Sequence, residues 1–209
     1  MDSIWFWIGA LVVVTLFQPV LKILIALVAG KQIGASALAR QPDRITLQRA
    51  SATAWKNGDA RRQAASALEA RGFEDVGIYS IPELPGILVQ LLAHGGDGVY
   101  AAVYEHPQAG SWFDLVTKFQ DGTSLTYSTS APTALKPRPG HASVNMRGAQ
   151  PAAVLDKMLA MRPQKPNAGA SFGMAVSVFE TAYAEGVAYR KQVGISTREV
   201  VKTATRKAA

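Results

Sequence analysis

The sequence predicts an α+β protein: an N-terminal transmembrane helix, then an antiparallel β-meander of four to five strands packed with flanking helices. Three observations predict it. Ser3 to Leu21 is a run of 19 residues without a charge. Residues 86–129 fall into four strand-length runs separated by short breaks containing Gly, Asp or Pro. Helical periodicity precedes this block and returns after residue 151. The expected organisation is an anchor at 3–30, a basic juxtamembrane helical segment at 31–71, and a soluble domain at 72–209. Within that domain the sheet occupies about 73–130 and the C-terminal helices about 151–207.

The anchor comes first. After Lys22 the apolar run resumes to Gly30, and a helix of that length exceeds the roughly 30 Å hydrocarbon core of a bilayer. Trp5 and Trp7 suit one interface, and Lys22 can snorkel toward the other. A cleaved secretory signal is the competing reading, since Ala35-Ser36-Ala37 resembles a small-residue cleavage site. However, no Lys or Arg precedes the apolar run, and the run is too long for a signal core. Lys31, Arg40, Arg44 and Arg49 follow the span, whereas only Asp2 precedes it. The positive-inside rule therefore places the N-terminus outside and the soluble domain in the cytoplasm. Those four cations would meet anionic lipid head groups.

Within 31–71, Pro42 divides a short helix from a second one expected near 44–55. A clearer helix begins at Asp59 and stops at Gly72. A strand-like run then begins at Val76. Four more are expected over 86–93, 98–105, 111–119 and 123–129, with Asp121-Gly122 as a type I′ hairpin turn. Pro132, Pro137 and Pro139 mark a loop. Pro151 opens a helix that ends before Pro163. Ser171 reads as the cap of a helix with an apolar stripe at Phe172, Val176, Phe179, Tyr183 and Val187. Gly194 ends it, and Ser196 with Glu199 forms a capping box for a final basic helix.

Composition excludes several chemistries. The 209 residues carry a net charge of +7 and no cysteine. A disulfide framework, a thiol nucleophile and any thiolate metal site are therefore out. The charge is uneven: residues 31–71 hold eight basic and three acidic side chains, whereas 72–150 hold four basic and seven acidic ones. The aromatic residues lie in that acidic middle, which argues against nucleic-acid binding. No cofactor or metal is expected. Gly169-Ala170-Ser171-Phe172-Gly173 matches a nucleophile elbow, but no strand precedes it and no histidine follows it.

Strand alternation supplies the candidate surface. If Glu105 opposes Ser111 and Asp114 opposes Thr129, one face carries Tyr100, Tyr104, Trp112, Asp114 and Tyr127. The other carries Val99, Ala101, Val103, Phe113, Leu115 and Phe119, the expected core. The aromatic face is either a binding surface or a second packed layer against the N-terminal helices. His94 and His106 stand at opposite ends of one strand and cannot share a metal. His106 and His141 could approach each other, and either could serve with Asp114 as a weak catalytic pair. Arg138, His141 and Arg147 could contact an anion near the sheet end.

Two stretches carry a resemblance. Tyr100-Ala101-Ala102-Val103-Tyr104-Glu105-His106, Trp112-Phe113-Asp114-Leu115-Val116 and Asp121-Gly122-Thr123-Ser124-Leu125-Thr126 resemble a family of uncharacterised bacterial membrane-anchored proteins with no known activity. Phe17-Gln18-Pro19-Val20-Leu21 with Arg44-Ile45-Thr46-Leu47 is locally similar to the membrane segment of serine-dehydrogenase-type proteinases, whose catalytic part has no counterpart here. The resemblance implies a bacterial inner-membrane anchor. The expected role is a binding or scaffold module for a protein or membrane partner. The alternative is an enzyme acting on a small hydrophilic substrate through Asp114 with His106 or His141.

Overall fold

A computed structural model of the chain describes residues 32 and 34–208. The expected anchor at 3–30 and Lys31 lie outside the described residues. No helix among the described residues is long and apolar enough to cross a membrane.

Seven strands form one sheet in sequence order: β1 (Gln48–Arg49), β2 (Glu74–Ser80), β3 (Leu88–His94), β4 (Val99–His106), β5 (Gly110–Lys118), β6 (Ser124–Ser128) and β7 (His141–Asn145). Neighbours are antiparallel except β6 and β7, which are parallel. The α+β class and the meander follow the sequence reading. β1 and β7 add to it. β1 and a 3-10 turn at Ala52–Ala54 stand where a helix near 44–55 was expected. β7 is parallel because the proline loop carries the chain back along the sheet before His141 pairs with Ser124.

Residues 34–39 are helical, and the helices that follow are α1 (Gly58–Glu69), α2 (Pro151–Met161), α3 (Ala175–Val193) and α4 (Thr197–Ala208). Asn57 caps α1 by accepting from the Ala60 N–H at 3.3 Å. Pro151 occupies the first turn of α2, where no N–H is needed. Ser171 stands before a 3-10 turn, Phe172–Met174, and its side chain makes no capping bond.

The chain divides into two compact units. One comprises Pro42–Pro132 and Pro137–Val187 and contains the whole sheet. The expected boundary at residue 72 falls inside it, because β1 and α1 belong to the sheet unit. One sheet face is closed by α1 and α2. Phe113, Leu115, Phe119, Val99, Ala101 and Val103 meet Leu68, Val154, Leu155 and Met158 there. Each large apolar side chain fully buried in this way contributes about 1.5–3 kcal/mol. Glu105 is buried at this face's edge, and its carboxylate accepts the N–H groups of Lys56 (2.8 Å) and Asn57 (2.7 Å).

The other unit comprises the described residues up to Gln41, Thr133–Lys136 and the chain from Ala188 onward. The expected capping box is present in it. Ser196 N–H donates to Glu199 Oε2 at 2.9 Å, and Glu199 N–H reaches back to Ser196 Oγ at 3.4 Å. Glu199 also accepts the Lys136 N–H at 2.7 Å. Burial would raise this carboxyl, but the Ser196 and Lys136 hydrogen bonds and the nearby Arg190 charge outweigh it and hold the pKa down to about 2.

The β5–β6 turn departs from the expected type I′ geometry. Gly122 alone has positive φ (81°), and the Gly122 N–H bonds to the Phe119 carbonyl. Gln120-Asp121 therefore form an ordinary turn closed by a left-handed glycine, a three-residue hairpin. That extra residue changes the register beyond it.

Candidate functional site

The second sheet face is only partly covered, and its rows follow from the pairings. Leu91, Ala102, Asp114, Ser128 and Asn145 form one row across five strands. Ala93, Tyr100, Val116, Thr126 and Ser143 form the next, and Lys118, Ser124 and His141 the last. On the other side of the Asp114 row stand Val89, Tyr104 and Trp112. The face thus runs from aromatic and acidic at one end to cationic at the other.

α3 lies over part of this face and leaves a slot. Val89, Leu91, Ala93 and Ala102 are buried with Ala175, and Tyr100, Tyr104, Val176 and Phe179 pack against them. Three hydrogen bonds fix the cover: Leu47 N–H to Glu180 Oε1 (2.7 Å), Tyr183 hydroxyl to the Pro42 carbonyl (3.2 Å) and Ser171 N–H to the Tyr100 hydroxyl (3.0 Å). The remaining slot has a volume of about 340 Å³. Its walls are mostly apolar, with Ala102, Val116, Val178 and Phe179 among them, and Lys118, Arg138 and His141 stand at its polar end.

Electrostatics divide the two ends. Arg138 Nη1 meets Glu185 Oε2 at 2.9 Å, which draws the Glu185 pKa below the usual carboxylate range. His141 Nδ1 is 2.8 Å from Ser124 Oγ. Burial, helped by the nearby Arg138 charge, lowers the His141 pKa and so disfavours the charged ring. Lys118 carries no ion pair among the described residues. At the other end Tyr104 and Trp112 stack, with centroids 4.8 Å apart and planes 15° apart. Asp114 is half-buried beside them, and its enclosed Oδ1 has no hydrogen-bond partner. Burial pushes this carboxyl up to about 6, against hydrogen bonding to Ser128, Tyr104 and Trp112. Burial and the Asp114 charge push the Tyr104 hydroxyl well above its ordinary value.

The structure brings together Tyr100, Tyr104, Trp112 and Asp114 as expected, but not Tyr127. Asp114 opposes Ser128 rather than Thr129. That one-residue difference turns Tyr127 to the opposite face, where it is buried in the α1–α2 core. The face is covered by α3 rather than by N-terminal helices. The histidines do not converge. His106 pairs with Gly110 at one end of β5, while His141 pairs with Ser124 at the other. Asp114 stands four residues from Lys118, about 13 Å along the strand from the His141 end. His106 Nδ1 instead accepts the N–H groups of Gln108 (3.0 Å) and Ala109 (3.1 Å), and His94 Nδ1 accepts that of Asp97 (2.9 Å). Among the described residues no group of three His, Asp or Glu side chains is placed to hold a metal.

Of the expected anion contacts, Arg138 and His141 reach the slot, whereas Arg147 is exposed beyond the end of β7. Lys118, Glu185 and Gly186 escaped the sequence reading. Alternation along β5 already placed Lys118 in line with Trp112 and Asp114. Nothing local marks Glu185 or Gly186, because their place depends on how α3 docks. Among the lipid-contact candidates, Arg40 and Arg44 are exposed, while the Arg49 guanidinium lies 4.8 Å over the Tyr79 ring. Comparison with protein-family models, curated proteins and solved structures finds no match to this chain.

Proposed function

We propose that this chain is a membrane-anchored binding module whose ligand site is the slot beneath α3. The single observation that supports this reading most is the half-covered second sheet face. A fully packed second layer would leave no cavity, and a solvated face would not carry Tyr100, Tyr104 and Ala102 under a helix. The volume falls in the range of ordinary small-molecule sites, and few polar groups at one end of an apolar slot is the usual pattern of such sites. The competing enzyme reading needs a base beside Asp114, and the ladder keeps His106 and His141 away from it.

The apolar run at 3–30, interrupted by no charge but Lys22, and the cations after it support a single pass in a bacterial inner membrane. In this reading the N-terminus is outside and the sheet domain is cytoplasmic. Anionic lipid then lies near Lys31, Arg40 and Arg44, and a protein partner remains part of the proposal. The chain has no cysteine, so one introduced thiol reports topology without background. Gln108→Cys in an exposed turn should resist an impermeant maleimide on intact spheroplasts and react after lysis. Labelling of intact spheroplasts would reverse the orientation.

A further inference from the structure

Gly186 sits inside α3 and borders the slot. A mid-helix glycine costs about 1 kcal/mol relative to alanine. Such glycines are usually explained by a neighbour that leaves no room for a side chain. Here a Cβ would meet nothing within 4 Å, and the backbone is not in the left-handed region. Packing therefore does not demand the glycine. What it does is leave the slot open, in the turn of α3 next to Glu185 and the Arg138 that pairs with it.

The charge at that end is specific. Lys118 and Arg138 contribute two positive charges, Glu185 removes one, and burial lowers the His141 pKa, which disfavours a further charge there. The net is a single positive charge at the end of an apolar slot. A monoanion matches it, whereas a dianionic phosphate would leave a charge uncompensated in a partly desolvated place. A volume of about 340 Å³ stands at the small end of the range for ligand sites, which suits a single chain of medium length.

Resting on the slot as the binding site, we infer that its ligand is a single-chain amphiphile with a carboxylate head and a medium-length acyl tail. The head group meets Lys118 and Arg138, and the tail runs over Ala102 and Val116 beneath Phe179 toward the Tyr104–Trp112 stack. The carboxylate could come from a free fatty acid, or an anionic head could come from a bilayer lipid. The volume favours the free single-chain acid, since a two-chain lipid exceeds it.

The test uses the full chain in phosphatidylcholine nanodiscs, with melting followed on addition of decanoate, decanol or hexadecanoate. Decanoate should stabilise the wild type at concentrations at least tenfold below those needed for decanol or hexadecanoate. Lys118→Gln should weaken the decanoate response at least tenfold. Gly186→Leu, which fills the slot and improves helix propensity, should abolish the response while its own melting point stays at or above that of wild type. Partition into the discs is the same for all three proteins, so the differences report the slot. Equal responses to decanoate and decanol, both lost in Gly186→Leu, would overturn the carboxylate assignment and leave the slot reading standing. Responses unchanged by Gly186→Leu, or no response to any probe, would overturn both. Replacing one third of the disc lipid by phosphatidylglycerol separates the sources. Stabilisation by that lipid alone, lost in Gly186→Leu, would assign the slot to a bilayer lipid instead.

Discussion

Asp114 stands opposite Ser128 in the β5–β6 ladder, half-buried beside the Tyr104–Trp112 stack with one enclosed carboxylate oxygen unpaired. A buried oxygen without a donor costs stability when charged, and this carboxyl is pushed up to about 6 by its burial.

The pH dependence follows from the direction of that shift. The folded protein holds the Asp114 proton more tightly than the unfolded chain, whose carboxyl has the ordinary value of 3.8. The contribution is therefore fully present below about pH 4 and is lost as pH rises through about 6. Asp114→Asn keeps the shape without the charge. It should be more stable than wild type by about 1–3 kcal/mol at pH 7.5, with the gap closing toward pH 4. Urea unfolding across that range checks it. A gap that does not vary with pH would show that the carboxyl's protonation is not its source.

Glu105 makes the opposite case for a buried carboxylate. Its two oxygens accept the Lys56 and Asn57 N–H groups ahead of α1, so both are used. Glu105→Ala should cost about 2–4 kcal/mol, since two backbone N–H donors ahead of α1 lose a charged acceptor. Glu105→Gln, which keeps one acceptor, should cost less. Equilibrium unfolding of the two variants measures both, and equal costs would mean that the carboxylate contributes only packing.

Gly77 is fixed by two independent constraints. Its φ is 133°, in a β2 bulge, and a Cβ there would run into the Arg49 guanidinium that stacks on Tyr79. Gly77→Ala should cost about 2–4 kcal/mol. In an Arg49→Ala background the steric part disappears and the further cost of Gly77→Ala should fall to about 1–2 kcal/mol. Denaturant titration of the four proteins gives the coupling. Simple additivity would place the whole cost in the backbone.

Much of the secondary structure was legible because local signals decide it. Pro151 to Met161, the Ser196–Glu199 box and the alternation of β4 and β5 depend on residues a few positions apart. Tyr127 was not legible. Its side of the sheet rests on a single residue in the Gln120–Gly122 turn, and a strand with polar residues on one face and Leu125 and Tyr127 on the other has no independent marker of register. β7 was missed because His141 to Asn145 pairs with β6 only after the chain has returned along the sheet. The slot was half legible: Tyr100 and Tyr104 in its wall follow from alternation, as do Trp112 and Asp114 on the same face, whereas its lid depends on where α3 docks.

The central claim is that a small amphiphile enters the slot beneath α3. Photo-crosslinking with a diazirine-bearing decanoate on the full chain in phosphatidylcholine nanodiscs, mapped by mass spectrometry, tests it most directly. The account predicts adducts on Val178, Phe179 and Ala182 that disappear in Gly186→Leu. Adducts confined to residues 3–30, with none on α3, would contradict it.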